Sequence, residues 1–175
     1  WGTERKVADT FEGYDFPIIR YAEVLLNYAE AMYELGTTGK ALDDALNISL
    51  NLVRLRVNPD MPKLTTSFAS ENSLNMREEI RRERTIELYN EGFRVDDLKR
   101  WNTAIVEMPK PILGVKWTGT DFATSWAGAS NMAKDSDGCL ILENSRRWGS
   151  KNDLYPLPVD QCQLNPNLGQ NPGWQ

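Results

Sequence analysis

The stretch Glu83-Arg-Thr-Ile-Glu-Leu-Tyr-Asn-Glu-Gly-Phe-Arg-Val-Asp-Asp-Leu-Lys-Arg-Trp101 constrains the fold more than any other part of the chain. It reads as two short helices broken at Gly92. Ile80, Glu83, Arg84, Glu87 and Leu88 recur at helical spacing, so charges share a face with core residues. Arg94 with Asp97, and Asp96 with Arg100, stand within reach of one another along a helix. A solvated face has no need of Leu88, Phe93, Leu98 and Trp101 threaded through it. The pattern therefore predicts a semi-buried ion-pair network of Arg84, Glu87, Glu91, Arg94 and Asp97 between helices.

The rest of the N-terminal half is also helical in pattern. Asp15 is a plausible N-cap with Pro17 in the first turn, and Ile18, Ala22, Leu25, Ala29 and Met32 form a stripe that Gly36 stops. A second helix is predicted from about Lys40 to about Val57, with Leu42, Ala45, Leu46, Val53 and Val57 inward and Asn58-Pro59 at its end. The short link between the two predicts antiparallel packing, and the pair is similar to a tetratricopeptide-type pair, without a visible repeat of the motif. A third helix is expected from about Ser70–Ser73 to Asn90, and a fourth from about Phe93 to Val106, closed by Pro109 and Pro111. The fold class is mainly α, within a single domain or fragment, residues 1–109 being its helical part.

Residues 110–153 differ. They are rich in Gly, Ser, Thr, Asn and Trp with little periodicity, and read as a long irregular segment with one short strand at Leu140–Leu142. Residues 154–175 are Pro- and Asn-rich but carry Tyr155, Leu157, Val159, Leu164, Leu168 and Trp174. They are expected to form an extended tail strapped across the helices.

Composition excludes several functions. The 175 residues carry a net charge of −5 and no basic-aromatic patch, which argues against a nucleic-acid partner. No apolar run approaches the roughly 20 residues of a membrane span. The chain has no histidine, so Ser-His-Asp and Cys-His chemistry cannot operate within it. Cys139 and Cys162 are too few for a disulfide framework.

Three constellations remain. Glu83, Glu87 and Glu91 resemble glycosidase carboxylates in type, but their Arg neighbours lower carboxyl pKa values, which is wrong for a general acid. No catalytic residue is assigned. Asp135, Asp137 and Glu143, with Asn131 and Gly138, invite a calcium reading. Their D-x-D-G spacing lacks the remaining positions of a cation loop, so a turn with solvated acids is expected, with no metal and no cofactor. Trp117 and Trp126 lie in the irregular segment among hydroxyl, carboxylate and amide side chains. Sugars present C–H faces that stack on indole and hydroxyls that need polar partners, so Trp117, Asp121, Trp126 and Asn131 are the candidate ligand-binding residues. The competing reading is that both rings anchor the loop.

Three segments, in order, carry a family resemblance: Arg20-Tyr-Ala-Glu-Val-Leu-Leu-Asn-Tyr-Ala-Glu-Ala31, the Glu83–Trp101 stretch, and Tyr155-Pro-Leu-Pro158 followed by Asn165-Pro-Asn-Leu-Gly-Gln-Asn-Pro-Gly-Trp174. Together they resemble the C-terminal region of SusD/RagB-family proteins, nutrient-binding lipoproteins of the Bacteroidetes outer membrane. The resemblance implies a SusD-like fold and non-catalytic capture of a nutrient, usually an oligosaccharide, at the cell surface. It also implies a TonB-dependent transporter as partner. No signal peptide or lipid-attachment cysteine stands near Trp1, so the chain is expected to be the C-terminal part of such a lipoprotein. Membrane contact would then be made through a lipid anchor on the preceding part. The alternative is an interaction scaffold whose parent holds the ligand site wholly upstream.

Overall fold

The computed structural model describes residues 18–174, and Asp15 and Pro17 lie outside them. The chain divides between Gly92 and Phe93 into two compact units.

The first unit is helical, with α1 Tyr21–Glu34, α2 Gly39–Asn47, α3 Leu50–Val57, α4 Thr66–Glu71 and α5 Met76–Glu87. Helix α1 packs on α5, α2 and α3; α3 also meets α5, and α4 meets α2. Leu26, Ala29, Leu42, Leu46, Leu50, Leu64 and Ile80 are buried at the centre. Gly36 ends α1 as expected: at φ +82° it adopts a left-handed conformation that glycine tolerates best, and its N–H bonds the Tyr33 carbonyl at 2.9 Å. The inward stripe of α1 is Ala22, Leu26 and Ala29. Ile18 precedes the helix and is exposed, and Leu25 is only half-buried.

The single helix expected over 40–57 is two helices. Buried Ser49 turns its hydroxyl back onto the Ala45 carbonyl at 2.6 Å, and its backbone leaves the helical region. The break sets α3 in a new phase, which leaves Val57 exposed instead of inward. It also aims Asn51 at the loop before α4. The Asn51 amide donates to the Leu64 carbonyl at 2.9 Å, and its oxygen accepts from Leu64 N–H at 2.8 Å, so one buried side chain satisfies an entire backbone unit. The third expected helix is α5, which starts later, at Met76, and ends at Glu87; α4 lies largely before the expected start. Asn75 caps α5 by accepting from the N–H groups of Arg77 and Glu78.

The second unit holds α6 Arg94–Arg100, α7 Ala104–Glu107, β1 Ile112–Lys116, α8 Phe122–Ser125, β2 Cys139–Glu143 and α9 Val159–Leu164. The fourth expected helix is thus α6 and α7, separated at Asn102, which takes φ +56°. Residues 110–153 are not irregular throughout. Strands β1 and β2 pair antiparallel, with Ile112 opposite Glu143, Leu113 opposite Ile141 and Lys116 opposite Cys139. Leu140–Leu142 falls inside β2 as read, whereas β1 has no alternation to reveal it.

The tail is not extended throughout, because α9 interrupts it, and it closes on itself. Gln170 accepts from Leu157 N–H at 2.7 Å and donates to the Leu157 carbonyl at 2.8 Å. Asn171 donates to the Tyr155 carbonyl, and the Trp174 indole N–H is shared by the Lys151 and Leu154 carbonyls. Tyr155, Val159 and Leu164 remain exposed. No helix among the described residues is long and apolar enough to cross a membrane.

Candidate functional site

The long excursion between β1 and β2 is held shut at its base. Trp117 and Thr118 both donate their N–H groups to the Gly138 carbonyl, at 2.8 and 3.1 Å. Gly138 sits at φ +80°, and a Cβ there would lie 2.5 Å from Thr118 Cβ, so only glycine permits this closure. The D-x-D-G stretch makes the preceding turn. Asp135 Oδ1 accepts from Asp137 N–H at 3.0 Å and from Cys139 N–H at 2.8 Å. Glu143 accepts from the hydroxyl and N–H of Ser145, which hold its carboxyl below its ordinary pKa. These oxygens are occupied by backbone and hydroxyl donors, and no acidic or thiol cluster fit for a metal occurs among the described residues.

This closure places the two tryptophans differently. Trp117 is 5% exposed and packs with Ala129 and Leu140 into a small core. Trp126, just beyond α8, is 54% exposed and meets Trp117 edge-on, with ring centroids 5.9 Å apart and planes at 60°. Lys134 lies 5.8 Å from the Trp117 ring while donating to the carbonyls of Ser130 and Met132. Trp117 is thus placed as a buried anchor of the loop, while Trp126 packs against it and stays more than half exposed.

Asp121 opens α8: its carbonyl accepts from the N–H and hydroxyl of Ser125, each at 2.8 Å. The side chains of Asp121 and Asn131 are exposed and make no hydrogen bond among the described residues, nor does the indole N–H of Trp126. The loop thus presents an aromatic face on a buried aromatic brace, with donors and acceptors unspent nearby in the chain.

Trp148 and Trp174, among the described residues, serve the fold. Trp148 donates to Asp153 at 3.0 Å, and Lys99 lies 4.1 Å from the Tyr155 ring and 5.7 Å from that of Trp148. Cys139 and Cys162 are free thiols.

The charged residues of the first unit converge on a partner that sequence spacing did not single out. Arg20 donates through Nε and Nη2 to both Glu91 oxygens, at 2.9 and 2.6 Å. It also donates to the Glu87 carboxylate and to the Glu87 carbonyl, each at 2.9 Å. These bonds, Glu91 first and Glu87 second, raise the Arg20 pKa still further above its ordinary value. Arg56 reaches Glu87 from α3 at 2.9 Å, and Arg84 donates to Asn27 at 2.6 Å. In the second unit Asp97 is buried and pairs with Arg100 at 2.9 Å, while Arg94 is exposed. Arg20 lies in the first of the three motif segments, immediately before an apolar stripe, and that position was the available signal.

Glu83 differs from its neighbours. Burial pushes its carboxyl above the ordinary value, and Arg54, 3.4 Å away, opposes the shift. Arg54 is itself buried, and its Nε and Nη1 have no hydrogen-bond acceptor among the described residues.

The SusD family model matches residues 3–174. Among solved structures, a SusD-like carbohydrate binding protein from Bacteroides fragilis is 31% identical, with a TM-score of 0.65, over 87% of this chain and 28% of its own. The selenomethionine form of the protein BT4246 is 27% identical, with a TM-score of 0.65, over 92% of this chain and 25% of its own. This chain therefore spans about a quarter of the length of the structures it matches. No curated protein matches it. Since the match runs through nearly all of both units and the helical architecture agrees, the chain belongs to the SusD family.

Proposed function

We propose that this chain is part of a non-catalytic glycan-capture protein at the bacterial cell surface, and that the Trp126 face is where it touches ligand. One observation carries the reading: a half-exposed indole braced edge-on by a buried one, in a chain similar to a SusD-like carbohydrate binding protein. A fixed aromatic plate stacks on the C–H face of a sugar ring with little ordering cost, while Asp121 and Asn131 offer polar partners for hydroxyls. Trp117 acts from beneath as a positioning residue.

Two carboxylates, Glu87 at the end of α5 and Glu91 beyond it, have structural partners, which supports a binder over an enzyme. Glu87 bonds Arg20 and Arg56, and Glu91 bonds Arg20, so their carboxylates are spent on joining helices. In this reading the parent protein is an outer-membrane lipoprotein that hands oligosaccharide to a TonB-dependent transporter. Glycan-array binding by the parent protein, before and after Trp126→Ala, tests the site. Loss of signal with only a small fall in melting temperature is expected. Retained binding would move the contact elsewhere in the parent and favour the scaffold reading. Release of reducing ends from polysaccharide would refute the non-catalytic assignment.

A further inference from the structure

Helix α1 is apolar around more of its circumference than its packing uses. It rests on α2, α3 and α5, and its inner side buries Ala22, Leu26 and Ala29. A second row, Tyr21, Val24, Tyr28, Ala31 and Leu35, follows alternating steps of three and four residues and is exposed along its whole length. Leu25 and Met32, both half-buried, bridge the two rows, and Glu23, Asn27, Glu30 and Glu34 gather on the remaining side. At about 100° of turn per residue the apolar arc spans roughly 220°. A helix with one packed face needs a stripe of roughly 100°.

The outer row is more than a scatter of surface residues. Tyr21 is 73% exposed and Leu35 81%, with Val24 and Tyr28 near half. Tyr21 also enters a groove of about 280 Å³ against α3, which it lines with Leu25, Leu52 and Val53. Arg20 and Arg56 line the same groove and both bond Glu87, so this end of the face is held fixed. Apolar side chains at alternating three-and-four spacing form the seam on which a second helix sets its own, crossing at about 20°. Contiguous exposed apolar surface of this kind marks an interaction site.

We propose that the outer row of α1, with the groove beside Leu52, is the docking face for an amphipathic helix from the part of the parent protein outside residues 1–175. That helix carries apolar residues at the same three-and-four spacing. The occupant is argued from length. The two solved relatives are matched over only 28% and 25% of their own chains, so most of each lies beyond the matched part. A helix apolar well beyond one face belongs to the core of a larger body, and α1 is such a helix. The inference rests on the reading above only in taking the chain as part of a longer protein. Glycan binding plays no role in it or in its test.

The test places the photo-crosslinker p-benzoylphenylalanine at Tyr28 in the full-length parent and maps the product by mass spectrometry. The expected crosslink is within one molecule, to a segment outside residues 1–175 whose apolar residues repeat at three-and-four spacing. A product of doubled mass would assign the face to a second copy. A crosslink within residues 1–175 would assign it to this chain, and one to a segment without that spacing would rule out the helix. Each of these overturns the proposal. Hydroxyl-radical footprinting of the unmodified parent decides the matter if the substituted protein does not fold. Oxidation of Tyr21 and Tyr28 is expected to be lost in the native parent and to return in urea. Equal oxidation in both states would mean that the face is open, and the proposal would fall.

Discussion

Trp117 and Trp126 meet edge to face at 5.9 Å, one almost wholly buried and the other more than half exposed. The pair separates stability from recognition. Trp117→Ala removes a core ring and should cost about 3–5 kcal/mol. Trp126→Ala loses one face of contact and the edge-on term, about 0.5–1.5 kcal/mol. Urea unfolding of both variants checks the ranking, and equal losses would mean that Trp126 is as structural as its partner.

Arg20 should not tolerate lysine. Its fork reaches two carboxylates and a backbone carbonyl at once, and an ammonium cannot reproduce that planar arrangement. Arg20→Lys is expected to destabilise by about 1.5–3 kcal/mol, the range for a charge-assisted hydrogen bond. Glu87→Ala should do so by a similar amount. The double variant should lose less than the sum, because the two groups share one interaction. Full additivity in a thermal-melt cycle would show that the contact contributes nothing.

Two glycines in the same loop isolate a steric effect. Gly119 at φ +76° has open space where a Cβ would go, whereas Gly138 at φ +80° has Thr118 Cβ at 2.5 Å. Gly119→Ala should cost only the left-handed backbone term, about 1–2 kcal/mol. Gly138→Ala should cost more and should also disturb the near-ultraviolet circular dichroism, since Trp117 hangs on the Gly138 carbonyl. Identical stabilities would remove the closure argument.

Glu83 gives a pH dependence of unusual sign. Its folded pKa is raised by burial, against the pull of Arg54, so between its unfolded value and its higher folded value the native state holds the extra proton. The contribution of Glu83 to stability therefore falls as pH rises through that window and levels off above the folded pKa. Denaturation midpoints of the wild-type chain and Glu83→Gln, measured from pH 4.5 upward, should show the wild type losing ground to the variant as pH rises. A wild type that gains on the variant over the same range would show that Arg54 dominates.

Much of the first unit was readable from spacing. Buried Ala22 and Ala29 in α1, and Leu42, Ala45 and Leu46 in α2, follow from helical period, and Gly36 and Gly92 mark breaks because each takes a positive φ. These features depend on residues within a turn or two of one another. The break at Ser49 was not readable, because a serine hydroxyl bends a helix only when its surroundings leave it no other partner.

Local sequence also supplied the types of charge and aromatic residue in the candidate sites, and the three ordered motifs that mark the family. It could not choose their partners. That Glu87 and Glu91 close on Arg20, far away in the chain, is decided by how α1 lies along α5. That Trp117 is buried and Trp126 exposed is decided by the pairing of β1 with β2 and the closure at Gly138. Helical period is set by neighbours along the backbone, whereas ion-pair partners, strand register and side-chain exposure are set by which distant surfaces come together. Only the tertiary structure fixes those.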